Sequence, residues 1–172
     1  PDRLINTIMK QIFLLRHAKS DWDNLNQQDF DRPLAKRGIE EANLLSKHIK
    51  EKHYLIDKVL CSSALRTKQT FDICSDGFNF PIKNATYSED LYFGNCDAIT
   101  NFIQNLDEAL SSILIIGHNP TMHNLLERLI DRNIKKFSTC SLAEISIENT
   151  WKDLSLKKCT LKSFIKSKEL KS

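Results

Sequence analysis

Gln11-Ile12-Phe13-Leu14-Leu15-Arg16-His17-Ala18-Lys19-Ser20 is the stretch on which the fold turns. Gln11 to Leu15 is a short, mostly apolar run without polar alternation, the pattern of a strand buried on both faces. It breaks abruptly into Arg16, His17 and Lys19, as a chain does when it leaves a sheet edge. Downstream, Leu34 to Lys52 carries Ile39, Ala42, Leu45 and Ile49 at helical spacing. Lys58 to Cys61 forms a second short strand. Ala64 to Cys74 is a second helix that ends near Asp76-Gly77.

The alternation continues to the end of the chain. Lys83 to Tyr87 is a third strand, Ala98 to Leu110 a helix, and Ser112 to Ile116 a strongly apolar strand. Asn119-Pro120 opens a helix that runs to about Ile130, with Asn119 expected to cap it. Ser141 to Ile147 alternates like a strand, and Leu154 to Ile165 adds another with a ragged end. Strands separated by helices predict a three-layer α/β/α sandwich with a mainly parallel central sheet. The 172 residues suit one domain over 1–172. Met9-Lys10 has the character of a natural beginning, and residues 1–8 are expected to be an upstream extension or a cloning remnant.

The composition excludes several classes. Net charge is +3 and the lysines are dispersed, without the dense basic patch expected of a nucleic-acid binder. No apolar run approaches a membrane span, and the first residues lack a signal-peptide pattern. Five cysteines, an odd number, show no metal-ligand spacing. They suit buried thiols in a reducing cytoplasm. No metal or organic cofactor is expected.

In a parallel sheet flanked by helices, ligands bind beyond the carboxyl ends of the strands. Arg16 and His17 follow the first strand, and Ser62-Ser63-Ala64-Leu65-Arg66 follows the second. Glu89 follows the third, and Gly117-His118-Asn119-Pro120 follows the fourth. Two arginines, two histidines and a carboxylate thus converge on one sheet edge. The types suit phosphoryl transfer. Guanidinium forks hold phosphate oxygens, a neutral imidazole attacks phosphorus, and a carboxyl group donates a proton to the leaving atom. A second histidine, if protonated, adds a positive donor.

The motifs make a resemblance specific. Leu15-Arg16-His17-Ala18-Lys19-Ser20 resembles the Arg-His-Gly signature of the histidine phosphatase superfamily, which includes the phosphoglycerate mutases. Ser62 to Thr70, SSALRTKQT, is similar to the family segment ending Arg-x-x-Gln-Thr, and Gly117-His118-Asn119-Pro120 to its second histidine turn. Asp31-Arg32-Pro33-Leu34 with Lys36-Arg37-Gly38 resembles the segment before the first helix in SixA-type phosphohistidine phosphatases.

The resemblance implies a phosphoglycerate mutase-like fold and a set of roles. His17 is the nucleophile that becomes phosphohistidine. Arg16, Arg66 and His118 bind the phosphoryl group, and Glu89 matches the general acid. Two positions depart from the pattern. Ala18 replaces the glycine, which requires a negative φ there. Asp23 stands where the mutases carry a phosphate-binding asparagine, so Asp23 is expected to point away.

About 28 residues separate Glu89 from His118, which leaves no room for a large lid insertion. An open, shallow pocket suits a phosphorylated protein, a histidine phosphotransfer domain among the candidates, better than a small metabolite. The leading expectation is therefore a metal-independent phosphatase acting as a cytoplasmic monomer on phosphohistidine. The alternatives are a small-molecule phosphomonoesterase or phosphomutase, or a non-catalytic phosphate-binding module. His48 and His53 are expected to be structural, and so is His123. Arg32 is expected either to pair with Asp31 or Glu40 or to contact the substrate. Trp22 either floors the substrate groove or pins its loop.

Overall fold

The computed structural model describes residues 9–170; the proposed extension at 1–8 lies outside them. Six strands form one sheet in the order β3-β2-β4-β1-β5-β6. β1 (Lys10–Arg16), β2 (Lys58–Ser62), β3 (Thr86–Ser88) and β4 (Ser112–Gly117) are mutually parallel, as the apolar runs predict. β5 (Ser141–Ile147) and β6 (Thr160–Lys166) add an antiparallel edge.

Five helices complete the layers. α1 (Lys36–Lys50) and α2 (Leu65–Phe78) pack on one face. α4 (Cys96–Gln104) and α5 (Thr121–Ile130) cover the other, and the short α3 (Asp90–Phe93) follows β3. Alternate residues of β1 serve the two faces. Phe13 and Leu15 join Leu45, Ile49 and Phe71 in one core, while Ile12 and Leu14 join Ile103, Leu125 and Leu129 in the other. The expected three-layer sandwich is the observed one.

Several boundaries differ for physical reasons. α1 begins at Lys36, after Pro33, and Ile39 is 44% exposed; the buried stripe is Gly38, Ala42, Leu45 and Ile49. α2 passes through Gly77 to a left-handed cap at Asn79. A Cβ on Gly77 would lie 2.3 Å from the Ser46 carbonyl oxygen, so the glycine is what lets α2 lie against α1. α4 starts earlier than periodicity suggests, because the Asn95 side chain accepts from the Ala98 N–H and caps it. It ends at Gln104. Lys83 and Asn84, expected in the third strand, belong to a 3-10 turn over Ile82–Asn84.

β1 leads to α1 on one face, and β4 leads to α5 on the other. The two strands are hydrogen-bonded neighbours, Arg16 opposite Gly117. The chain therefore parts at their carboxyl ends, and the crevice there is the binding position of an open α/β sheet. His17 and His118 are the next residues on each strand.

Candidate active site

Backbone pairing fixes where the first histidine stands. The His17 N–H donates to the Gly117 carbonyl (3.1 Å), and the His17 and Arg16 carbonyls accept from the Cys140 N–H (3.0 and 3.1 Å). Ala18 has no positive φ, so its methyl group is accommodated as expected. Its N–H donates to Thr70 Oγ1 (3.0 Å), and that hydroxyl donates to the Arg66 carbonyl (2.7 Å). Gln69 Oε1 accepts from the Leu34 N–H (2.8 Å). The Gln-Thr pair after Arg66 thus ties α2 to both flanks of the loop after β1.

The imidazole rings of His17 and His118 lie 5.2 Å apart between centroids, tilted by 54°. Both residues are buried, at 7% and 9% exposure. His17 Nδ1 is 2.7 Å from the Ala18 carbonyl oxygen. A carbonyl only accepts, so the proton sits on Nδ1 and the Nε2 lone pair is free. Burial, above all, pulls the His17 pKa down to about 3, and the charges of His118, Arg66 and Arg16 add to the effect; the hydrogen bond to Ala18 opposes it. Burial and then Arg66 bring His118 down to about 4. The second histidine is therefore neutral in the unliganded site, where the sequence reading allowed it a charge. His118 Nε2 meets Ser62 Oγ at 2.8 Å, and its Nδ1 is buried without a partner.

Arg66 projects from the first turn of α2. Its Nη1 donates to the Asp29 carbonyl (2.7 Å) and its Nη2 to Asp29 Oδ2 (3.0 Å). Tyr92 donates its hydroxyl to the same Oδ2 at 2.5 Å, and its ring stands edge-on to His118 at 5.4 Å. Burial pushes the Asp29 carboxyl up, but the hydrogen bonds from Tyr92 and Arg66 outweigh it and hold the pKa below its ordinary value. Asp29 is thus an ionised carboxylate already engaged with Arg66. Arg16 Nη1 donates to the Phe137 carbonyl (3.0 Å), and its Nε is buried without a partner.

Four of the five expected site residues, Arg16, His17, Arg66 and His118, are thus brought to one crevice. Glu89 stands at the end of β3, exposed, where it opens α3. Its side chain makes no hydrogen bond or ion pair among the described residues. Asp23 is exposed, and its backbone N–H closes a turn on Asp21 Oδ1. Arg32 pairs with neither Asp31 nor Glu40. Its Nε lies 3.7 Å from Asp29 Oδ1, and its guanidinium lies 4.0 Å from the centre of the Trp22 ring. Trp22 therefore holds the loop through Arg32. Asn119 does not cap α5; its Nδ2 donates to the Phe137 carbonyl (2.9 Å) that also receives Arg16. His123 pairs with Glu127 at 3.3 Å. Asp29 and Tyr92 were missed by sequence reasoning. The signal for Asp29, an acidic residue three before the Arg32-Pro33 pair, is too slight to find alone.

The comparison that decides the family is direct: the sequence model of the histidine phosphatase superfamily (branch 1) matches residues 12–106, more than half of the chain. The chain belongs to the histidine phosphatase superfamily. Membership of this superfamily, with SixA among the relatives, makes it a phosphatase. An uncharacterised protein of Mycobacterium leprae is 30% identical over 164 residues, covering 87% of this chain and 98% of its own. The phosphohistidine phosphatase SixA of Escherichia coli is 28% identical over 142 residues, covering 81% and 87%. The solved structure of the protein histidine phosphatase SixA complexed with tungstate superposes with a TM-score of 0.81 at 26% identity, covering 94% and 99%. The superfamily's phosphoglycerate mutase-like fold is the one described above.

Proposed function

We propose that this phosphatase removes the phosphoryl group from phosphohistidine on a protein, through a covalent phosphohistidine at His17. The observation that carries the reading is the free Nε2 of His17, a neutral imidazole with its tautomer fixed by Ala18, facing His118 across 5.2 Å. The substrate phosphoryl group lies between Arg16, Arg66 and His118. Ser62 donates to His118 Nε2, which leaves a proton on the unpartnered Nδ1 to donate to a phosphoryl oxygen. Tungstate, a tetrahedral oxyanion, occurs in the SixA complex, and the same chemistry suits this crevice. Guanidinium groups supply the charge neutralisation, so the reading needs no metal ion.

His17 Nε2 attacks phosphorus, forming an N–P bond as the substrate's P–N bond breaks. The departing imidazole takes a proton from Glu89. Water then attacks the phosphohistidine, the N–P bond breaks, and the water's proton returns to Glu89 as inorganic phosphate leaves. Asp29, held ionised by Tyr92 and Arg66, does not serve as the acid; Glu89, without a partner at the same sheet edge, is the free carboxyl group.

A protein substrate fits the rim. The short α3 stands where a lid would rise, and Phe93 beside it is 79% exposed. Five free, buried cysteines suit a reducing compartment, and the cytoplasm is the proposed location. No helix among the described residues is long and apolar enough to cross a membrane. The test is turnover of phosphohistidine peptides against phosphoserine peptides and sugar phosphates, with acid-labile phosphoenzyme trapping. The expected result is preference for phosphohistidine and loss of turnover and trapping in His17→Ala. Equal turnover of sugar phosphates, or an active His17→Ala, overturns the reading.

A further inference from the structure

Behind Arg16 lies a cavity of about 380 Å³ that shares only this arginine with the residues assigned to the phosphoryl group. Its walls carry Arg16, Lys19, Arg37, Lys136 and Lys168 against one carboxylate, Glu41, together with Ser138 and Thr139. Five cations and one anion make +4, more than the +3 of the whole chain, so the molecule's excess charge is gathered at this place. Glu41 is already engaged by Arg37 at 3.0 Å. The side chains of Lys19, Lys136 and Lys168 have no hydrogen bond or ion pair among the described residues. Ser138 is 4% exposed, and its hydroxyl is buried without a partner. A buried hydroxyl donor and three uncompensated ammonium groups in one concavity are a demand for anionic oxygens.

We infer that this cavity is a second anion subsite, which takes the carboxylates of acidic residues flanking the phosphorylated residue of a protein substrate. The inference rests on the phosphoprotein reading above. Its position follows from the chain: Arg16 is both a wall of the cavity and the neighbour of His17. Ser138 and Thr139 lead into Cys140, whose N–H holds the Arg16 and His17 carbonyls. An extended peptide advances about 3.3–3.6 Å per residue, so side chains one to three residues from the phosphorylated one reach the cavity.

The donor set favours carboxylates along a chain over the second phosphate of a compact metabolite. Arg37, the fork that would grip a phosphate bidentately, is tied to Glu41. The free cations are lysines, point charges on flexible stems. They come from separate segments: the loop after β1, the stretch before β5, and the turn after β6.

The experiment compares two phosphohistidine peptides, one flanked by Asp residues and one by Ala, on the wild type and on a Lys136→Ala/Lys168→Ala variant. Turnover of p-nitrophenyl phosphate by both proteins is measured alongside. The wild type is expected to prefer the Asp-flanked peptide in kcat/KM. The variant is expected to lose about tenfold of that preference, as two partly exposed charge pairs together allow, with p-nitrophenyl phosphate turnover unchanged. Hexa-aspartate is expected to compete with the peptide on the wild type and about tenfold more weakly on the variant. Equal kcat/KM for the two peptides on the wild type, or unchanged hexa-aspartate inhibition in the variant, overturns the subsite. A bisphosphorylated small molecule inhibiting the wild type more strongly than hexa-aspartate would also overturn it. Failure of the wild type to turn over either phosphohistidine peptide while hexa-aspartate binding still depends on Lys136 and Lys168 would instead remove the phosphohistidine reading and leave the subsite.

Discussion

Acidification from about pH 8 to about pH 5 should destabilise this protein through two residues. In the unfolded chain His17 and His118 titrate near 6.5; in the folded site they titrate near 3 and 4. A base whose pKa is lowered by folding makes its full contribution above the unfolded value. The unfolded state then gains protons that the folded state refuses, and stability is lost as pH falls from 6.5 toward the folded values. At pH 5 the gap from 6.5 is about 1.5 pH units, which is about 2 kcal/mol for each imidazole at ~1.4 kcal/mol per unit. Together they remove about 4 kcal/mol, against a stability of roughly 5–15 kcal/mol for a domain of this kind.

Urea unfolding at both pH values measures the loss. Replacing one imidazole by an uncharged group isolates it: His17→Gln is expected to lose about 2 kcal/mol less than the wild type between pH 8 and pH 5. Asp29 does not confound the comparison. Its lowered pKa makes a contribution that is lost only as pH falls through the carboxylate range, below this window. Equal pH dependence in the wild type and in His17→Gln would refute the reasoning, because it would mean that the buried ring accepts a proton as readily folded as unfolded.

Two other substitutions test how the site is held. Gly38→Ala lies inside α1, where alanine normally gains about 1 kcal/mol. Here a Cβ would sit 2.2 Å from the Lys19 carbonyl oxygen, which itself accepts from Ala35 N–H (2.9 Å). The sign should therefore reverse, with a loss of at least ~2 kcal/mol in thermal or urea unfolding. Thr70→Val leaves the Ala18 N–H without its acceptor and should cost about 1–3 kcal/mol. It should also lower kcat for p-nitrophenyl phosphate, measured in steady-state assays, because Ala18 is the residue that fixes the His17 tautomer.

The sheet and the crevice were legible in the sequence because they rest on one-dimensional signals. Uninterrupted apolar runs at Gln11 to Leu15 and Ser112 to Ile116 identify strands buried on both faces, and the residues after them must lie at the sheet edge. What stayed hidden depends on contacts between segments far apart in the chain. Asp29 meets Arg66 across 37 residues and Tyr92 across 63, and no local pattern records either. Arg32 was misassigned for a different, local reason: Asp31 or Glu40 was the expected partner, but the 3-10 turn at Asp29–Asp31 turns Asp29, three residues away, toward the guanidinium. Asn119 had the residue type of a cap, but α5 starts at Thr121 with Pro120 at the cap position, so Asn119 stands one residue too early, with Nδ2 on the Phe137 carbonyl and Oδ1 without a partner.

The acid sensitivity and the chemistry have the same origin. A histidine that is to attack phosphorus must be unprotonated, and burial among guanidinium groups is what keeps His17 so. In the proposed reaction the arginines act twice, holding the anion and discouraging a proton on His17 before the anion arrives. Left alone, such a cluster would be a buried excess of positive charge, and Asp29 relieves it. Its carboxylate engages Arg66, steadied by Tyr92, and on the proposed reading an arriving phosphoryl group would exchange one anion for another at that guanidinium rather than desolvate a bare cation. The negative charge of a bound oxyanion would offset the guanidinium field that lowers the His118 pKa, and so favour a second proton on that ring. Binding an oxyanion should accordingly be coupled to proton uptake, and the oxyanion should stabilise the protein more at pH 5 than at pH 8. The same imidazole is thus a cost to the empty fold in acid and an asset to the filled one.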